Sequence, residues 1–274
     1  MDNTKDKPDY FGKIIDAHGH IYPDKLAAKA TASIGDFYSI PMAHTGSSRG
    51  IAESGDAIGI RRQLVCSTAT SAPQVESVNS FIAGECIKYP SFVGFGTMHP
   101  DYTDYEKELG RMKALGLKGV KLHSDFQRFY IDDPRAADMY RAIAQAELPV
   151  LFHIGDDRYD YSEPERLRRV MEQTAGLTAI AAHFGGYRRW EHVADILGGI
   201  DNLYFDTSSS LSFIPPQTAG MLIERLGEDR FFFGTDFPMW DHREELGRFM
   251  SIELDETRRR KILYENFERA ILGR

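Results

Sequence analysis

Four of the nine histidines in this chain, and one of its aspartates, stand where short apolar runs end. Ile14-Ile15 lead into Asp16-Ala17-His18-Gly19-His20, Leu151-Phe152 into His153, Ala181-Ala182 into His183, and Phe231-Phe232-Phe233 into Gly234-Thr235-Asp236. If these runs are strands, the two-residue period puts His18 and His20 on one face with Cα atoms about 6.6 Å apart, where two imidazoles can chelate one cation. On matching parity His153, His183 and Asp236 would face the same place, and a set of imidazoles with a carboxylate suits zinc, manganese or iron. A His-x-His pair by itself is a weak pattern, and a single histidine at a strand end is more often a packed or capping residue. Five such groups at four run ends are hard to obtain from packing alone. Asp236 is the sharpest case, because an ionised carboxylate behind three phenylalanines is costly without a cation or hydrogen bonds. Asp16 lies deeper in its run and reads as a supporting residue.

Further candidates are individually weaker. Lys121 and His123 share parity in GVKLHSDFQ, and His123 reads equally well as substrate-facing or as a hydrogen-bonded strand end. Asp206 and Thr207 close another run, Arg128 and Arg188 could hold a substrate carboxylate, and Tyr22 and Trp240 could line a pocket. His44, His99, His192 and His242 lack the matching phase and read as structural or surface residues.

The elements that must position these groups alternate along the whole chain. Apolar, β-branched or aromatic runs recur at residues 13–20, 61–68, 92–99, 117–124, 148–155, 177–184, 202–208 and 230–237. Between them lie helical segments at 48–58, 73–89, 102–115, 134–146, 163–175, 188–197 and 216–226, and the chain closes with another at 256–272. In the 163–175 segment Leu167, Val170 and Met171 have helical spacing, with Ser162 as the expected N-cap, Pro164 in the first turn and Gly176 as the stop. Near-continuous apolar strands in βα alternation mean a parallel sheet buried on both faces. Eight of them predict a (β/α)8 TIM barrel, one domain over residues 1–274, rather than an open doubly wound sheet, and no glycine-rich phosphate loop is present. In such a barrel the strand carboxyl ends form the active-site mouth. Residues 21–46 read as a long loop over that mouth, and 156–162 as a second segment that would set specificity.

Composition narrows the function classes. The 274 residues carry 33 basic and 41 acidic side chains, a net charge of −8 without any lysine–arginine run, which argues against nucleic-acid or anionic-membrane partners. The longest apolar stretches, at 148–152 and 179–182, are far below the roughly 20 residues a membrane span needs. The opening MDNTKDKPDYFG lacks the apolar core of a secretory signal, so the expected location is cytoplasmic, with Cys66 and Cys86 as reduced thiols.

The ordered motifs IIDAHGH, GVKLH, PVLFHIG, AAHFGG and FFFGTDFP, with the closing ILYENFERAIL, resemble the metal-dependent amidohydrolase superfamily. The likeness is to its amidohydrolase-related branch, which includes carboxymuconate-semialdehyde and resorcylate decarboxylases. The resemblance implies His18, His20, His153 and Asp236 as ligands of one divalent metal, with Zn2+ preferred and Mn2+ or Fe2+ as alternatives. It implies His183 as the histidine that faces substrate and polarises or protonates it. Lys121 is similar in place to the carbamylated, metal-bridging lysine of urease, but the branch ordinarily holds one metal, so Lys121 and His123 are expected on the substrate side. The leading expectation is hydrolysis of a small amide, ester or lactone, with Asp236 and His183 catalytic. The alternative is a non-oxidative decarboxylase of a small aromatic or unsaturated acid. Metal-dependent nucleases that also open on His-x-His carry a glutamate after the third strand, where this chain reads GFGTMHP. The substrate is therefore expected to be a small molecule, and a homodimer is an expectation of the family alone.

Overall fold

The computed structural model describes residues 10–273; the first nine residues of the opening segment discussed above lie outside them. Eight parallel strands, β1 (Ile14–His20), β2 (Ile60–Cys66), β3 (Phe92–Thr97), β4 (Gly119–Leu122), β5 (Val150–Phe152), β6 (Ala179–Ala181), β7 (Leu203–Asp206) and β8 (Phe231–Phe232), pair in sequence order. All eight expected strands are present, each shorter than its apolar run. The barrel is drawn together between β8 and β1 by single bonds, Ala17 N–H to the Phe233 carbonyl (2.8 Å), Asp236 N–H to that of His18 (2.7 Å) and His20 N–H to that of Phe237 (2.7 Å).

Helices α1 (Asp24–Tyr38), α2 (Ser48–Asp56), α3 (Val75–Lys88), α4 (Tyr105–Ala114), α5 (Ser124–Gln127), α6 (Ala137–Gln145), α7 (Pro164–Gln173), α8 (Val193–Leu197), α9 (Pro216–Leu226) and α10 (His242–Met250) fill the connections. The closing segment runs as α11 (Glu256–Arg260), a π-helical stretch at Lys261–Glu265 and α12 (Asn266–Ile271). Among the described residues no helix is long and apolar enough to cross a membrane.

Two expectations are corrected here. The 21–46 segment is not a plain loop, because 15 of its residues form α1, whose buried side chains are only Ala27 and Thr31. And Ser162 does not cap α7: the cap position falls on Glu163, without a side-chain bond, while the Ser162 carbonyl accepts the N–H of Gly155 (2.7 Å). Ser162 is used to shape the loop after β5 instead.

The barrel interior is filled by Leu64, Val93, Phe95, Leu151, Ile180 and Phe232, all at most 4% exposed, and Phe267 of α12 closes the amino-terminal end by meeting Phe232 edge-on at 5.4 Å. Burying a phenylalanine or leucine fully is worth ~1.5–3 kcal/mol, so this plug holds the lower barrel rigid beneath the polar mouth.

Candidate metal and catalytic site

Plain alternation would put Asp16, His18 and His20 on one face. The structure instead inserts an extra residue: Asp16 pairs with Gln63, but Gly19 pairs with Val65, so β1 advances three residues while β2 advances two. This bulge turns Asp16 away from His18 and His20. The Asp16 carboxylate accepts the His18 N–H (3.1 Å), the Thr235 N–H (2.9 Å) and the Thr235 hydroxyl (2.6 Å), and it also meets His242 Nε2 (3.0 Å). It thereby staples the bulge to the residues after β8, the supporting role expected of it. Gly19 lets β1 approach α2 closely between the histidines: a Cβ there would lie 2.5 Å from Ile51 Cδ1, which would have to shift.

His18, His20 and Asp236 converge, with three potential ligand atoms within 4.8 Å of one another. Asp236 Oδ1 lies 3.1 Å from His20 Nε2 and 3.6 Å from His18 Nε2. Asp236 is not carried by a strand. It sits past β8 with φ 62, as His183 does past β6 with the same φ, and a left-handed backbone in a non-glycine residue is a strained state that surrounding contacts must hold. Ser209 supplies one such contact, donating to Asp236 Oδ2 (2.5 Å) while receiving Trp240 Nε1–H (2.9 Å).

Behind His18 the carboxylate of Asp206, at the end of β7, accepts from His18 Nδ1–H (2.8 Å), from the hydroxyl of Ser208 (2.5 Å) and from the His183 N–H (3.0 Å). This orients the ring so that Nε2, the lone-pair nitrogen, faces the mouth. Burial opposes ionisation of Asp206 and Asp236, but the neighbouring His18 holds both below the usual carboxylate range, and His20 adds to this at Asp236. Against its own burial, His20 is raised to about 9 by the Cys66 sulfur and the Asp236 carboxylate. Asp236 thus draws positive charge to the point between itself and the histidines, and this donor set fits a divalent cation.

His153, the fourth expected ligand, is turned elsewhere. Its Nδ1 meets His183 Nε2 (3.0 Å), and its Nε2 faces Asp125 Oδ2 at 3.5 Å. Its ring stacks on His123, centroids 4.0 Å apart and planes within 7°. Burial keeps both rings neutral, assisted at His123 by His153 and at His153 by His183, and it lowers His183 to about 4. Burial also pushes the Asp125 carboxyl up to about 7, with Asp156 adding to the effect. Lys121, fully buried, places Nζ 3.1 Å from His18 Nε2.

These groups form the floor of a cavity of about 380 Å³, lined by His20, Lys121, His123, His153, His183 and Asp236. Its upper wall is aromatic, with Phe37 and Tyr38 from α1, Phe126 and Tyr187. Helix α1 is therefore the roof. Tyr38 reaches down to His123 Nε2 (2.9 Å), and the Arg158 guanidinium, paired with Asp156 (2.6 Å), packs over the Phe37 and Tyr38 rings at 4.2 and 4.5 Å.

The amidohydrolase family pattern matches residues 15–270, nearly the whole described chain. The chain belongs to the amidohydrolase family. No match was found among curated proteins. Among solved structures, this amidohydrolase is similar to an uncharacterised TIM-barrel protein of Bordetella bronchiseptica, at 21% identity over 96% of this chain and 100% of that one (TM-score 0.77). It is similar to 5-carboxyvanillate decarboxylase of Novosphingobium aromaticivorans, in complex with manganese and 4-hydroxy-3-methoxy-5-nitrobenzoic acid (18%, 96% and 97%, TM-score 0.75). A third is a probable 2-pyrone-4,6-dicarboxylic acid hydrolase of Acinetobacter baumannii with bound citric acid (16%, 96% and 100%, TM-score 0.70). At these identities the likeness establishes the barrel.

Other expected residues of the amidohydrolase fall into two groups. Tyr22 lines the cavity, and Lys121 and His123 face it together as their parity predicts. Arg128 and Arg188 are exposed and outside the lining; Arg188 stacks on Phe213 at 3.7 Å. Trp240 acts through Ser209, and Thr207 is spent on the Gly234 backbone (3.1 Å). The 156–162 segment contributes no lining residue and reaches the cavity by fixing α1, through Arg158 and through Tyr159, whose ring stacks on Phe37 at 6.0 Å. Sequence reasoning missed Tyr38, Asp125, Ser208 and Ser209. The Ser208-Ser209-Ser210 run directly after Asp206 was the available signal for the serines.

Proposed function

We propose that this amidohydrolase is a metal-dependent non-oxidative decarboxylase of a small aromatic or unsaturated carboxylic acid. The observation that carries this reading is the cavity itself, a slot between aromatic rings above a floor of imidazoles, one lysine side chain and one ionised carboxylate, which suits a flat acid placed carboxyl-end down. The manganese-bound decarboxylase among the similar structures supports it and favours manganese over the zinc expected from the motifs.

His18, His20 and Asp236 would hold the cation, which when bound supplies positive charge against the substrate's carboxylate and any adjacent hydroxyl. Lys121 adds a further nitrogen at the floor, its charged form disfavoured by burial and its Nζ set against His18 Nε2 (3.1 Å). Asp236, ionised and steadied by Ser209, could take the proton of the substrate's carboxyl group as it binds and deliver it to the ring or vinyl carbon, whose bond to the carboxylate then breaks to release carbon dioxide and leave Asp236 ionised again. His183 is the second group in reach for that transfer, its Nδ1–H given to the Ser208 carbonyl (3.2 Å). Phe37, Phe126 and Tyr187 exclude water around the ring.

Hydrolysis remains the second reading, because the same ionised Asp236 could take a proton from attacking water, and the probable pyrone hydrolase shares the fold. Protein loaded with Mn2+ or Zn2+ would be offered hydroxybenzoates beside lactones, esters and amides. Carbon dioxide release from a hydroxybenzoate is expected. Turnover of lactones, esters or amides alone would reverse the two readings, and turnover of neither panel would remove both.

A further inference from the structure

We propose that the cavity carries an apolar subsite beside Asp236, formed by Ile34, Met42 and Met239, and that the substrate is a ring acid bearing an uncharged alkyl group seated there. The inference rests on the reading of the site as one for an aromatic or unsaturated acid, and it names what that acid carries.

Size is the first observation. The cavity measures about 380 Å³. A cavity of about 150 Å³ lined by aliphatic and aromatic side chains is enough to hold benzene. A single ring therefore fills less than half of the space. Water on the floor takes part of the remainder but, at ~10–15 Å³ for each molecule, not most of it. A ligand that is enclosed on most of its surface must then present a further group to the walls.

The walls define that group. One stretch is aromatic and fixed: Phe37 meets Phe126 at 4.9 Å and Tyr38 meets Tyr187 at 5.8 Å, with Arg158 packed over Phe37 and Tyr38. Another is aliphatic. Ala30, Ile34 and Tyr38 recur at helical spacing, so one face of α1 runs along the cavity from small and aliphatic to aromatic side chains. Met42 folds back on that helix, where a Cβ on Gly35 would lie 3.0 Å from its Cγ. The two residues that follow are tied to the segment after β8: the Ala43 N–H donates to the Met239 carbonyl (3.2 Å) and the His44 N–H to that of Pro238 (3.1 Å). Met239, itself buried, places Sδ 3.7 Å from Ser209 Oγ, the group that holds Asp236. Ile34, Met42 and Met239 are thereby linked into one wall that ends beside the ionised carboxylate.

This wall carries no charge. The basic side chains that line the cavity, Lys121 and the histidines, all belong to the floor. A second carboxylate on the substrate would face carbon here and would be desolvated without a partner, which is costly. An alkyl group meets no such cost, and two methionines, unbranched and polarisable, can repack around it.

The test is calorimetric binding to Mn2+-loaded protein, with carbon dioxide release followed in parallel. The ligands are 2-hydroxybenzoate, its propyl derivatives substituted in turn at each free ring position, and the matching carboxymethyl derivatives. Each buried methylene is worth about fourfold in affinity, so at least one propyl isomer should bind ~10–100-fold tighter than the parent. No carboxymethyl isomer should bind tighter than the parent. Ile34→Trp, which fills the subsite, and Met42→Gln, which makes it polar at similar length, should each remove most of the propyl gain and leave the Kd of the parent unchanged. The absence of a gain for every propyl isomer, a gain that survives both variants, or tighter binding of a carboxymethyl isomer would overturn the proposal. Carbon dioxide release from the parent without a propyl gain sinks this inference alone. A propyl gain without carbon dioxide release supports the subsite and removes the decarboxylase reading, and a failure of every hydroxybenzoate to bind removes both.

Discussion

On the β7 side of the mouth every polar group has a partner: Asp206 fixes His18, Ser208 and the His183 backbone, and Ser209 fixes Asp236. On the β4–β5 side the same residue types, two histidines and an aspartate, are buried with the two rings stacked, and each imidazole spends one nitrogen, His123 on Tyr38 and His153 on His183. The first arrangement is organised before anything binds. The second is held by ring stacking and one hydrogen-bond contact per imidazole. His183 joins the two, touching Ser208 on one side and His153 on the other.

The largest effect should come from cutting that link. His183→Asn is expected to lower turnover by ~10²–10⁴-fold, the range for losing a proton-transfer group, while elemental analysis shows the ion at His18 and His20 still bound. Undiminished turnover would remove His183 from the reaction. Next, Asp206→Asn tests whether the organised side depends on its carboxylate, and it should weaken metal affinity ~10–100-fold in a competition titration, as for lost outer partners of metal-binding histidines. An unchanged affinity would mean that His18 is oriented without it.

The third effect is on stability and serves as the contrast. Glu245 on α10 is fully buried, and burial raises its carboxyl from 4.5 to about 7 although Arg248 contacts it. A carboxyl raised in the folded state binds more protons there than in the unfolded chain, so its contribution is full below about pH 4.5 and is lost as pH rises toward 7. Wild type should therefore lose ~1–3 kcal/mol across that window relative to Glu245→Gln, read from denaturant midpoints, with metal content equal in both. Parallel stability profiles would show that Glu245 titrates normally.

The strands were legible because a buried parallel strand must be apolar throughout, and the (β/α)8 order followed from their count. Helix α9 is observed with the expected limits, since Pro216 opens it and its buried Ala219, Leu222, Ile223 and Leu226 form a regular stripe. Helix α1 was not legible for the complementary reason: it roofs a cavity instead of packing on the core and buries only two small side chains, so it carries no apolar stripe. In α10 the sequence HREELGRFM gives only Phe249 as a buried apolar anchor. Of the site, the groups at run ends were visible and their mutual arrangement was not. His183 and Asp236 are aimed by left-handed backbone beyond their strands, which side-chain alternation does not encode. Asp125 looks ordinary in sequence, because His153, which faces it at 3.5 Å, is 28 positions away.

The extra residue in β1 makes length, more than identity, the guarded property of this segment. Ile14 or Ile15 could exchange for other aliphatic side chains with modest loss. A one-residue deletion between Asp16 and Gly19 would instead shift the phase of the segment, taking the imidazoles out of their present directions while leaving the composition almost untouched. Natural variation here should thus consist of substitutions within a fixed count, and gaps should gather in the roof, where no such phase has to be kept.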